Sequence, residues 1–309
     1  MSNILLKKKD NLTEIFKNTF QLVLKEKSEE NIEKYTQEIH LMKKISHPNI
    51  AMFLGASLSG LKESQMSLIL FYEILQPSER VLLKRKGSTA SPFQRLKYLH
   101  QLSLGLSYLE GMNIYHGDLK IENLLCKKKN ILIWTLIFFL DDSKSDQLKI
   151  SDWGFSRDLK NNNFGPIQGS FLYLSPELFK YWFSDEMKVE YHTSMDVYSF
   201  SILAYIILKG EMLTIRMSDK KFGESVMRGT WRPDLTLLSY PKSVLDLLEQ
   251  SWDENPSKRP SFKSICDRIP LFYLDYLFSF NYQLSDEHST QKKVSKGFFF
   301  SQNNFSLSF

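Results

Sequence analysis

The sequence predicts an α+β fold in two parts: a small strand-rich lobe at about residues 1–75 and a larger, mainly helical lobe at about 76–269. Three observations carry this reading. Strand-like runs with a single amphipathic helix fill the first part, and helical patterns dominate the second. The stretch Asp196–Leu208 is apolar nearly all round, as a helix buried on every side must be. A chain of 309 residues, 42% hydrophobic and 24% charged, has ample material for a buried core.

Residues 1–25 read as short strand-like pieces that end in Phe20-Gln-Leu-Val-Leu-Lys25. From Glu29 the pattern turns helical, with Ile32, Tyr35, Ile39, Met42 and Ile45 recurring at three or four and His47-Pro48 as the stop. Two strand-like runs follow, Asn49–Leu54 and Ser67–Glu73. Ser91-Pro92 then opens a long helix with an oxygen cap and a proline at the first position. Leu96, Leu99, Leu102, Leu106 and Leu109 form its buried stripe, and Gly111 is placed to end it. Leu245–Trp252 and Ser261–Ile269 read as further amphipathic helices, and 270–309 as an appended tail.

Composition excludes several classes. Net charge is +5 and spread along the chain, so no nucleic-acid partner is indicated. Two cysteines, Cys126 and Cys266, cannot build a disulfide framework and point to a reducing compartment. The lysines after the short apolar start reverse the order of a signal peptide. The longest apolar run, Ile131–Leu140, is about half the roughly 20 residues a membrane span needs. A soluble cytoplasmic protein is the expectation. Glycine is scarce, 13 in the chain with Gly55 the first, which argues against an N-terminal glycine-rich nucleotide turn.

The segment that carries chemistry is Tyr115-His-Gly-Asp118-Leu-Lys120-Ile-Glu-Asn123-Leu-Leu, followed downstream by Leu148-Lys-Ile-Ser-Asp152-Trp-Gly154. Phosphoryl transfer needs an acid to receive a hydroxyl proton, oxygen ligands for magnesium, and a cation near the phosphoryl charge. Asp118 can be that acid and Lys120, two residues on, that cation. Asn123 and Asp152 offer hard oxygens for the metal.

At these residues the chain resembles the eukaryotic protein kinases, whose catalytic loop reads H-R-D-x-K-x-x-N and whose metal loop reads D-F-G. Gly169-Ser170-Phe-Leu-Tyr-Leu-Ser175-Pro-Glu177 is similar to the end of the activation segment, and Asp196 to the acid of the buried helix that braces the catalytic loop. Ser251 to Phe262 is similar to the late motif whose arginine, here Arg259, pairs with Glu177. The resemblance covers about residues 1–269 and is nearest to the tyrosine-kinase-like group, with mixed-lineage and Raf-like members. It implies a two-lobe kinase fold that moves the γ-phosphate of ATP, with Mg2+, to serine or threonine hydroxyls of a protein substrate. Asp118 and Lys120 would be catalytic, with Ser170 touching both. Asn123 and Asp152 would hold magnesium, Lys25 with Glu38 would position the phosphates, and Tyr72-Glu73-Ile74-Leu75 would be the adenine hinge.

Three departures are visible. Lys8, Asp10 and Thr13 stand where a glycine-rich loop should be, so a pseudokinase used as a scaffold or allosteric binding module is the alternative function. Gly117 replaces the arginine that pairs with an activation-segment phosphate, which argues against control by such phosphorylation. Asp152 lies 29 positions after Asn123, and the excess holds the apolar insertion 127–140, either a retained intron or a docking hairpin.

Overall fold

The computed structural model describes residues 21–26, 29–59, 67–83, 90–127, 147–161, 163–184 and 188–291. Lys8, Asp10 and Thr13 lie outside the described residues, as do 128–146 and the chain after 291.

The first part is an antiparallel sheet of order β1–β3–β2, made of Gln21–Glu26 (β1), Phe53–Ser59 (β2) and Ser67–Tyr72 (β3), with helix α1 (Glu29–Lys44) between β1 and β2 in the chain. The branched and aromatic residues of these strands suit a pleated, half-buried surface. Leu41 and Met42 of α1 are buried, and so is the acid Glu38. Lys44 is the last residue of α1, just ahead of Pro48, and the chain is then tied to the second part. The His47 ring stacks on Tyr108 at 5.1 Å, and the Ser46 amide donates to the Tyr108 hydroxyl at 3.1 Å.

The second part begins with β4 (Gln76–Pro77), a short helix α2 (Glu79–Leu82) and the long helix α3 (Pro92–Gly111). Ser91 and Gln94 form a reciprocal capping box at the start of α3, at 3.2 and 2.9 Å, worth about 1 kcal/mol. Its five stripe leucines are all at most 1% exposed. The helix does not stop through a left-handed Gly111, as the sequence suggests. Gly111 is its last residue, and Asn113 takes the positive φ of 58°.

Short ladders follow α3. Ile114–Tyr115 (β5) pairs with Arg157–Asp158 (β8); Leu124–Lys127 (β6) pairs with Gln147–Ile150 (β7) and, on its other edge, with β4; Phe164–Gly165 (β9) pairs with Val189–Glu190 (β10). Helices α4 (Pro176–Trp182), α5 (Thr193–Lys209), α6 (Asp219–Met227), α7 (Lys242–Ser251) and α8 (Phe262–Gln291) complete it. Helix α5 is buried on all sides as predicted, and Gly210 caps it at φ 75°.

Two boundaries differ from the sequence reading. Lys127, expected to open the insertion, is the last residue of β6, its backbone paired with Gln147, and its Nζ reaches the carboxylate of Glu73 at 2.9 Å. The tail expected from Pro270 starts instead as a continuation of α8. Proline inside a helix costs about 3 kcal/mol. Burial of Phe272 and packing of the Tyr273 ring on Phe93 of α3, at 5.1 Å, offset that cost here.

The two parts meet where Ile50 bridges Ile150 in parallel, with Ala51 N–H donating to the Ile150 carbonyl at 2.8 Å and Ile150 N–H to the Asn49 carbonyl at 2.9 Å. Helix α3 passes close beneath. A Cβ on Gly105 would stand 2.8 Å from Ile150 Cδ1 and 3.2 Å from the Asn49 oxygen, so only glycine lets the helix approach.

Candidate active site

The loop between β5 and β6 is held from below by α5. Asp196 accepts the His116 amide at 2.6 Å on Oδ2 and the Gly117 amide at 3.0 Å on Oδ1. Full burial pushes the Asp196 carboxyl up to about 7, against the pull of those two N–H groups. Gly117 has φ 81°, and a Cβ there would sit 2.9 Å from the Phe155 carbonyl and from the Tyr115 ring. The arginine of the kinase pattern would be strained in this backbone.

His116 joins two segments. Its Nδ1 accepts the Asp118 amide at 3.2 Å, which leaves Nε2 as the protonated nitrogen, donating to the Ser151 carbonyl at 3.2 Å. Burial lowers its pKa, so the ring is neutral and serves as a strut rather than a base. Trp153 packs against it at 5.2 Å.

Around Asp118 the side chains converge. The carboxylate is 4% exposed; Oδ1 accepts the Ser170 hydroxyl at 2.7 Å, and Oδ2 accepts Lys120 Nζ at 2.6 Å and Asn123 Nδ2 at 3.0 Å. Lys120 also donates to Ser170 Oγ at 3.0 Å, so the three residues close a triangle. Asn123 Nδ2 donates again to the Asp118 carbonyl at 2.7 Å. With its nitrogen committed, the amide oxygen of Asn123 is the atom left to face a cation. Asp152 stands exposed at φ 68°, and its Oδ1 accepts the Gly154 amide at 3.3 Å. A neutral amide oxygen and an exposed carboxylate suit magnesium, which keeps few protein ligands and several waters.

On the other side, Tyr72 donates to Met42 Sδ at 2.8 Å. Its hydroxyl pKa is driven far up, first by burial and then by the negative fields of Glu38 and Asp152. Glu38 is thus near enough to Tyr72 for its charge to act on the hydroxyl. Lys25 lies in β1 opposite Leu68, and its side chain falls outside what is described. Glu73 and Leu75 lie in the non-strand link between β3 and β4 that joins the two parts, the place expected of the hinge.

The Glu73 side chain, however, turns to the β6–β7 hairpin. Its Oε1 meets Lys149 Nζ at 2.7 Å and the Met52 amide at 2.9 Å, and its Oε2 meets Lys127. Burial alone would raise this carboxyl, but the Lys149, Met52 and Lys127 hydrogen bonds hold it below the usual range. Only the backbone of Glu73 remains for a ligand. Lys149 was not singled out from the sequence. The signal was a lysine in the middle of an apolar strand, Leu148-Lys-Ile150, where burial on both faces demands a partner.

Farther out, Arg259 makes the bidentate pair with Glu177 that its motif implied, at 2.6 and 2.8 Å. Ser156 is tied to the loop through the His116 carbonyl at 2.9 Å.

A strand-rich part and a helical part are joined at Ile50 and Ile150, and the second carries Asp118, Lys120, Asn123 and Asp152 on two neighbouring loops. Residues 5–269 match the family described as protein kinase domain, and the chain belongs to that family, whose members in general use ATP and magnesium. It is 30% identical over 250 residues to the dual specificity protein kinase shkE of Dictyostelium discoideum, covering 78% of this chain and 31% of that one. It is 30% identical over 249 residues to serine/threonine-protein kinase 12 of Arabidopsis thaliana, covering 78% and 48%. With the Arabidopsis serine/threonine-protein kinase VIK it shares 29% over 247 residues, covering 77% and 50%. The chain therefore spans half the length of these relatives or less. Among the described residues no helix is long and apolar enough to cross a membrane.

Proposed function

We propose that this chain is a cytoplasmic protein serine/threonine kinase in intracellular signalling, transferring the γ-phosphate of ATP to hydroxyls of a protein substrate. The observation that carries the reading is the Asp118–Lys120–Ser170 triangle, closed at 2.6, 2.7 and 3.0 Å. Bound Mg·ATP supplies the phosphoryl group and neutralises its oxygens. Asp118 orients the substrate hydroxyl and takes its proton as the new P–O bond forms and the bond to the β-phosphate oxygen breaks, releasing ADP. Lys120 offers positive charge to the phosphoryl oxygens as they leave. Asn123 and Asp152 hold the metal, Lys25 with Glu38 positions the nucleotide phosphates, and the main chain at Glu73 and Leu75 receives the adenine.

The lost glycines at Lys8, Asp10 and Thr13 favour a second reading, a pseudokinase that binds partners with this fold. Transfer of labelled γ-phosphate to a generic protein substrate, alongside a thermal shift with Mg·ATP, separates the two. The kinase reading expects transfer that Asp118→Asn abolishes and a shift that Asp152→Ala removes. No transfer and no shift with the native chain would defeat it.

A further inference from the structure

Between Trp153 and Glu177 the chain carries four hydroxyls, Ser156, Ser170, Tyr173 and Ser175. Two are hydrogen-bonded and two are buried. Ser156 Oγ donates to the His116 carbonyl at 2.9 Å, and Ser170 Oγ is part of the Asp118 cluster. Tyr173 is 5% exposed and Ser175 fully buried. The position before Asp118 is Gly117, which brings no cation to this side of the loop.

What lies there is a stack of side chains. Tyr115, the residue before His116, pairs in register with Arg157 across β5 and β8. The Arg157 guanidinium lies over the Tyr191 ring at 4.9 Å, and the Tyr115 ring stacks on Tyr191 at 4.9 Å and 26°. Gly165 of β9 makes room for the guanidinium: a Cβ there would stand 2.6 Å from Arg157 Cζ. Tyr191 is itself anchored to the same stretch, with its hydroxyl on the Pro166 carbonyl and its amide on the Asn163 carbonyl at 2.6 Å. One arginine therefore ties together the strand leading into Asp118, the middle of the segment at 163–166, and the residue after β10.

We propose that Arg157, clamped between Gly165 and Tyr191, holds this segment in its working position without any phosphate on it. Arg157 and Tyr191 are positioning residues, and they act through Tyr115 on the loop that carries Asp118. A planar guanidinium over an aromatic face needs no added anion to stay in place. The catalytic consequence rests on the kinase reading above; the structural one does not.

Hydrogen exchange followed by mass spectrometry, with phosphatase-treated full chain, tests both. Removing the clamp in Arg157→Ala should speed amide exchange at 163–165 and 189–191 about tenfold, some 1.4 kcal/mol, with α5 unchanged as the sign that the fold is intact. Gly165→Ala, which displaces the guanidinium, should do the same. Tyr191→Phe, which keeps the ring but drops the hydroxyl bond to the Pro166 carbonyl, should give a smaller rise than Arg157→Ala. In the activity arm, the unphosphorylated native chain should keep its full rate, and Arg157→Ala should lower kcat with little change in KM for ATP. Unchanged exchange in both Arg157→Ala and Gly165→Ala would overturn the clamp. So would activity that vanishes on phosphatase treatment and returns on phosphorylation between 153 and 177. A native chain with no transfer at all would count against the kinase reading, and the exchange arm would still decide the clamp.

Discussion

Ser151 donates both its amide and its hydroxyl to a single atom, the carbonyl oxygen of Asn123, each at 2.9 Å. The residue after Ser151 is Asp152, so the two proposed magnesium ligands are tied to each other through one residue, although 28 positions separate Asn123 from Ser151 in the chain. Ser151→Ala removes only the hydroxyl bond, worth about 1 kcal/mol. The expected result is a several-fold rise in the magnesium needed for the ATP-induced thermal shift, with the melting temperature of the free protein falling only slightly. An unchanged magnesium titration would mean that the backbone bond alone sets the spacing.

Gly117 makes a second test. At φ 81°, with a Cβ position 2.9 Å from the Phe155 carbonyl, any side chain meets both backbone strain and a clash. Gly117→Ala should cost about 1–2 kcal/mol for the left-handed conformation alone. In a domain of this size that lowers the melting temperature by roughly 2–8 °C. Gly117→Arg should fare no better, although it restores the family's motif. A Gly117→Arg chain as stable as the native one would show that the loop backbone is set elsewhere.

The acid beneath this loop sets a pH dependence. Burial raises the Asp196 carboxyl from the model-compound value of 3.8 to about 7. Between those values the folded chain binds the proton that the unfolded chain has released, so stability falls as pH rises through this window. His116 works in the opposite direction: burial lowers its pKa, and it favours the fold as pH rises towards 6.5. The native curve therefore mixes the two, and the informative quantity is a difference. Denaturant unfolding of the native chain and Asp196→Asn from pH 5 to 8 should show the native chain losing ground to the variant as pH increases. A constant gap would mean that the two amide donors keep Asp196 ionised throughout.

The candidate cluster was legible in the sequence because its residues are close together in the chain. Asp118, Lys120 and Asn123 fall within six residues, and the Asp152-Trp-Gly turn announces itself after an apolar strand. Ser170 and the Arg259–Glu177 pair were legible because whole motifs, not single residues, surround them. The helices α3 and α5 were legible from caps and periodicity. What was not legible depends on contacts between residues distant in the chain. Nothing near Arg157 in the sequence points to Tyr191, and Gly165 reads as an ordinary turn glycine until the guanidinium above it is seen. Nor does periodicity foresee that α8 runs through Pro270, since the compensation lies on α3, at Phe93. Lys127 reads with the apolar insertion beside it, because its partner Glu73 lies 54 positions earlier, in the link between β3 and β4.

That last pairing yields a test of how the two lobes are joined. Glu73 and Lys149 are 6% and 7% exposed at their side chains, and Lys149 also donates to the Ile50 carbonyl at 3.2 Å. The carboxylate, the hairpin before Asp152 and the segment after α1 thus share one buried contact. Lys127, the second lysine on Glu73, is 52% exposed. Physics separates the two lysines sharply. Lys149→Met leaves a buried carboxylate short of its nearer cation and should cost about 3 kcal/mol. Lys127→Met removes an exposed partner and should cost under about 1 kcal/mol. Glu73→Gln on the Lys149→Met background should recover part of the loss, because the neutral amide no longer demands a buried counter-charge and can still accept from the Met52 amide. Urea unfolding of the native chain, Glu73→Gln, Lys149→Met and the double variant gives the cycle, with Lys127→Met as the comparison. If Lys149→Met proved no costlier than Lys127→Met, the buried pair would be incidental to the joint, and the Ile50–Ile150 bridge with the hydrogen bonds beside it would carry the connection alone.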